Sequence, residues 1–188
     1  KAAEFIQKAI SDIGFTTQSQ EFEQKSFTFN SAPQLIITSP IQENLPCQIM
    51  LGSDATDESG IKGELRYVGK QGVIGLLEWE KYAIEKEEGC PLGFILGRPD
   101  GEAMPQALSN DSNHLPHFVI GSESIELIER LRKSQESITC HGVFNATPVQ
   151  TICSNLFVQI PGVSSERKIM LSSHYDGMYN TPGANDNG

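Results

Sequence analysis

From about Pro33 onward the chain is built of apolar runs of four to seven residues, each cut short by Gly, Pro or Asp. This texture limits the fold more than any other feature. Runs that short do not supply the ten or more residues of an amphipathic helix, so they read as strands. The expected strands are 35–38, 65–68, 73–79, 93–96 and 117–120. Residues 80–89 are highly charged and helix-compatible. Ser122 stands where a helix N-cap belongs, and Ile125, Ile128 and Leu131 then share one helical face. Many short strands with two short helices make a compact α+β unit, placed at 33–141, with 97–101 and 110–113 as surface loops.

The flanks have a different texture. Ala2, Phe5, Ile6, Ala9, Ile10 and Ile13 recur at three- and four-residue spacing, which gives an amphipathic helix, and Gly14 sits where a C-cap glycine belongs. Phe22, Phe27 and Phe29 follow in a polar setting that favours extended chain. Past the central unit, 138–147 and 151–160 read as strands on either side of a turn containing Pro148. Pro161-Gly162 is a second turn, and 168–173 reads as a buried strand running into a polar loop. The expected class is therefore α/β, a helix plus strands in two flanking pieces, 1–32 and 142–188, with the α+β unit inserted between them.

Charge and cysteine usage narrow the function. The formal charge of the 188 residues is −10. That excludes phosphate-backbone recognition, which needs a basic surface, so no nucleic-acid partner is expected. It also argues against an anionic membrane surface, and no apolar run approaches the roughly 20 residues of a membrane span. Cys47, Cys90, Cys140 and Cys153 form no C-x-x-C pair, which excludes zinc-ribbon and thioredoxin readings and leaves both disulfides and buried thiols open. Asn110 and Asn145 open glycosylation sequons, a lean toward an exported protein, secreted or periplasmic. The chain starts at Lys1 and ends inside a polar motif, so both ends read as cut and the missing signal peptide carries no weight.

The chemistry gathers at the C-terminal end. In His174-Tyr175-Asp176-Gly177 the histidine follows the expected strand. Residues i and i+2 of an extended chain point the same way, so Asp176 can lie beside the His174 ring and accept its second N–H. That arrangement holds a metal-binding histidine in its neutral tautomer. Asp186 lies in Pro182-Gly183-Ala184-Asn185-Asp186-Asn187-Gly188, where two glycines permit a loop that aims one carboxylate. A carboxylate has two oxygens and can bridge two cations held about 3.5–4 Å apart. Taken singly, His-x-Asp reads as a polar loop and the Gly/Asn/Asp stretch as a turn. Their combination and order are far more specific.

That combination resembles the first two metal-site motifs of the co-catalytic zinc aminopeptidases, the aminopeptidase Y-like group. Residues 155–162 resemble the strand and turn ahead of that site, and 72–77 through 115–122 resemble a protease-associated (PA) domain. The resemblance implies two zinc ions as cofactors, His174 and Asp186 as metal ligands, and Asp176 as the catalytic residue that orients His174. It implies a zinc-exopeptidase α/β domain of which this chain is the N-terminal part. A Glu-Glu pair, a further acid and a late histidine are expected beyond Gly188. The implied activity is removal of residues from peptides with a free N-terminus, with these 188 residues inactive alone. Two other classes stay open: a non-catalytic receptor-like relative, and another exopeptidase or glutaminyl cyclase on the same scaffold. His114, His117 and His141 match none of the motifs.

Overall fold

The computed structural model describes residues 2–73, 77–107, 115–134, 136–163, 166 and 168–175. The chain divides into two compact units, Phe27–Pro148 and the pair of segments Lys1–Ser26 with Val149–Gly188. The described residues are mostly strand with two helices, the mixed α/β class expected from the sequence. No described helix is long and apolar enough to cross a membrane.

The first helix, α1 (Ala2–Asp12), ends at Gly14, whose φ of 89° is the left-handed geometry expected of a terminating glycine. Then come β1 (Gln18–Phe29), β2 (Gln34–Ser39), β3 (Glu43–Asn44), β4 (Cys47–Leu51), β5 (Ile61–Val73), β6 (Leu77–Glu87), β7 (Cys90–Gly97), β8 (Gln106–Ala107) and β9 (His117–Ile120). The second helix, α2 (Ser122–Lys133), precedes β10 (Thr139–Val143) and β11 (Ala146–Phe157). Strands β1 and β11 form a two-stranded sheet, and the other nine lie in the order β3-β2-β10-β5-β6-β7-β9-β4-β8.

That order forces the large sheet to curl. Asn44 ends β3 at one edge and Cys47 opens β4 near the other. Three residue steps span at most about 10 Å. Flat, the seven strand spacings between β3 and β4 would cover about 33 Å. The sheet therefore bends until its ends approach, and α2 packs into the interior through Ile128, flanked by Ile125, Leu127 and Leu131.

Period-two alternation sorts the side chains of this sheet into two clusters. Ile49, Tyr82, Ile84, Ile95, Phe118 and Ile120 belong to the main core. Their neighbours Met50, Trp79, Leu96 and Val119 form a second buried cluster on the opposite face. Trp79 and Tyr82 are thus core residues.

Several expectations are corrected. Residues 80–89, read as helix-compatible, form most of β6, because pairing with β5 and β7 on both sides outweighs the helix preference of Glu, Lys and Ala. The strand expected at 73–79 is instead the tips of two strands, since Val73 pairs with Leu77. Pro148 lies within β11 and makes no turn, as an edge position of a two-stranded sheet tolerates proline. Helix α2 starts one residue earlier than expected, with Gly121 as its N-cap. Ser122 does not cap, because its N–H bonds the Gly101 carbonyl at 2.9 Å and its hydroxyl lies 3.3 Å from the same oxygen. The strand expected at 168–173 is not formed. Ile169, Met170 and Leu171 are 92%, 86% and 94% exposed, and none of the described strands pairs with them. A strand needs a partner for its backbone groups, and apolar sequence alone does not provide one.

Candidate functional site

The described approach to the expected metal motifs begins where β11 ends at Phe157. The described residues that follow are irregular, and His174 is exposed. A hydrogen bond ties this stretch to β11. The Tyr175 hydroxyl donates to the Ser154 carbonyl on β11 and lies 3.3 Å from the Ser154 hydroxyl. Tyr175 is thus the anchor that fixes the backbone beside His174, and it was not singled out from the sequence. The signal was present, as an aromatic residue with a polar tip between two candidate site residues. Asp176 and Asp186 lie outside the described residues, so the meeting expected between His174, Asp176 and Asp186 falls there too. Among the described residues no three His, Cys, Asp or Glu side chains gather closely enough to hold a metal ion.

His141 and His117 have structural partners. His141 Nε2 lies 2.7 Å from the Ser59 carbonyl. A carbonyl only accepts, so that nitrogen carries the proton and its lone pair is unavailable to a metal. His117 is 1% exposed, with Nδ1 at 2.6 Å from the Leu115 carbonyl and its ring stacked 5.0 Å from Phe94. Burial pushes its pKa below the ordinary value, with the nearby Lys81 charge acting the same way and the Leu115 bond opposing. His114 lies outside the described residues.

All four cysteines are free thiols. Burial pushes Cys47 and Cys140 up to about 12, which makes them poor thiolates and poor metal ligands at neutral pH. Asn145 of the second sequon is engaged as well, accepting from Asn30 Nδ2 at 2.8 Å, while Thr147 Oγ1 lies 3.2 Å from the same amide nitrogen.

A hollow of about 910 Å³ lies in the Phe27–Pro148 unit. It is the seam where the curled sheet fails to close, between Gln34 of β2, Cys47 of β4 and the start of α2 at Ser122 and Ser124. None of the expected site residues lines it.

Residues 155–188 match the family described as Peptidase family M28. No curated protein matches the chain. Among solved structures, an aminopeptidase from Aneurinibacillus sp. strain AM-1 superposes with a TM-score of 0.65 at 17% identity, covering 98% of this chain and 48% of that one. A Peptidase M28 precursor from Shewanella amazonensis SB2B gives 0.59 at 13% identity, covering 82% and 43%. The chain thus shares its fold with about half the length of each.

Proposed function

We propose that this chain carries the first part of the active site of a zinc-dependent aminopeptidase, with the Phe27–Pro148 unit as an inserted protease-associated domain. The observation that carries the reading is the family match over 155–188, the stretch that holds His174, Asp176 and Asp186. The shared fold with a solved aminopeptidase supports it, as does the separate compactness of the central unit. In this reading His174 and Asp186 would hold the zinc and Asp176 would accept the second N–H of the His174 ring, the metal supplying an activated water when bound.

A zinc site needs at least three protein ligands. The motifs of this chain supply two, His174 and Asp186, so the reading assigns it part of a site and no turnover of its own. The substrate of the complete enzyme is a peptide with a free N-terminus, and its setting is extracytoplasmic.

The test is zinc dialysis together with an aminopeptidase assay on residues 1–188. Expected are weak zinc uptake, lowered further by His174→Ala and by Asp186→Asn, and no release of amino acids from a peptide. Chelator-sensitive turnover by these 188 residues, or zinc uptake indifferent to both substitutions, overturns the reading.

A further inference from the structure

The outer face of β5, β6 and β7, the face that carries Trp79, holds a hollow of about 460 Å³ within the Phe27–Pro148 unit. Arg66, Lys70 and Lys81 line it against one acid, Glu85, in a chain whose net charge is −10. Two of the three cations are committed. The Arg66 fork closes on Glu85 with bonds of 2.9 and 2.6 Å, and Glu85 also accepts the Gly89 N–H at 3.2 Å. Lys70 Nζ lies 3.4 Å from a Glu80 oxygen, and Glu80 accepts from the Tyr67 hydroxyl as well.

Lys81 is different. It forms no ion pair with the described residues, and its ammonium stands 4.3 Å over the Phe94 ring. A ring face attracts the charge but does not satisfy three N–H donors. Behind Phe94 lies the buried ring of His117, which is not an acid. Burial pushes the Lys81 pKa down, as expected for an ammonium drawn out of water without a carboxylate beside it.

We propose that this hollow is an oxyanion-binding site in which one carboxylate or phosphate group docks on Lys81, the cation of the hollow left without a carboxylate among the described residues. The group is either a free ion or the acidic side chain of a polypeptide, and both present the same delocalised oxygens. The site is independent of the peptidase reading, because every residue in it belongs to the central unit.

The experiment titrates the whole 188-residue chain at constant ionic strength with three probes: inorganic phosphate, a glutamate blocked at both ends, and the equally blocked glutamine. NMR signals of the Lys81 side chain and the Phe94 ring give the readout. Saturable shifts with phosphate alone identify a free ion as the source. Saturable shifts with blocked glutamate, and none with blocked glutamine, identify a polypeptide carboxylate. In either case Lys81→Gln is expected to bind at least about tenfold more weakly while keeping the wild-type spectrum elsewhere. If that variant fails to fold, the wild-type Lys81 titration decides, since a bound anion must raise its pKa. Absence of saturation by both anions, unchanged affinity in a folded Lys81→Gln, or a Lys81 pKa indifferent to ligand overturns the proposal.

Discussion

The central unit and the flanking unit treat the same kind of sequence in opposite ways. Helices α1 and α2 are comparably amphipathic, yet α2 buries Ile128 in the main core while α1 has no buried residue. Every buried apolar side chain among the described residues lies between Leu35 and Ala146. The flanking segments leave Phe5, Ile13, Ile152, Ile160 and Leu171 exposed. An amphipathic stripe declares which face seeks cover, and burying each large side chain is worth about 1.5–3 kcal/mol. Cover itself has to come from other segments. The central unit supplies its own by curling a sheet around α2, and the described flanking residues do not.

The comparison breaks first on core deletions. Phe118→Ala removes a side chain with no exposure and is expected to cost about 3–5 kcal/mol in denaturant unfolding. Leu171→Ala, at 94% exposure, is expected to change stability by less than about 0.5 kcal/mol. Similar costs for the two would erase the distinction between the units.

A smaller effect sharpens it through pH. His117 has a folded pKa below its ordinary value of 6.5, so between those two values the unfolded chain binds more protons than the folded one. Stability of the central unit should therefore fall as pH drops through about 6.5 and level off below the folded value. His117→Asn, whose amide preserves a donor to the Leu115 carbonyl, should flatten that slope. A slope unchanged by the substitution would show that acid sensitivity arises elsewhere.

The smallest effect belongs to the flanking unit. Tyr175→Phe removes the bond to the Ser154 carbonyl and is expected to cost at most about 1 kcal/mol. It should show as faster amide exchange around Ser173 and His174 with no change in the melting of the central unit. Unchanged exchange would mean that the tether does not hold the backbone next to His174.

Much of the fold was legible because local patterns carry it. The α1 stripe and its glycine stop, the α2 face of Ile125, Ile128 and Leu131, and the strand 117–120 all appear as read. Residues 80–89 were misread because Glu, Lys and Ala favour helices in isolation, and two flanking strands decide otherwise. Strand β4 was overlooked because the apolar run in Cys47–Leu51 is only three residues, and it is held as a strand by pairing with β9 and β8. At the candidate site the peptidase motif was legible from residue types and order, in agreement with the family match over 155–188, whereas the Tyr175 tether depends on a carbonyl 21 positions earlier in the chain.

The sequence by itself settled the α/β class and the net negative charge, because each depends on residue identity and near neighbours. Tertiary structure alone decided which face of each strand is core, that the sheet curls until Asn44 and Cys47 bring its ends together, and that Lys81 stands over Phe94 without an acid among the described residues. Those outcomes rest on contacts between residues far apart in the chain, and local patterns of hydrophobicity and charge contain no record of such partners.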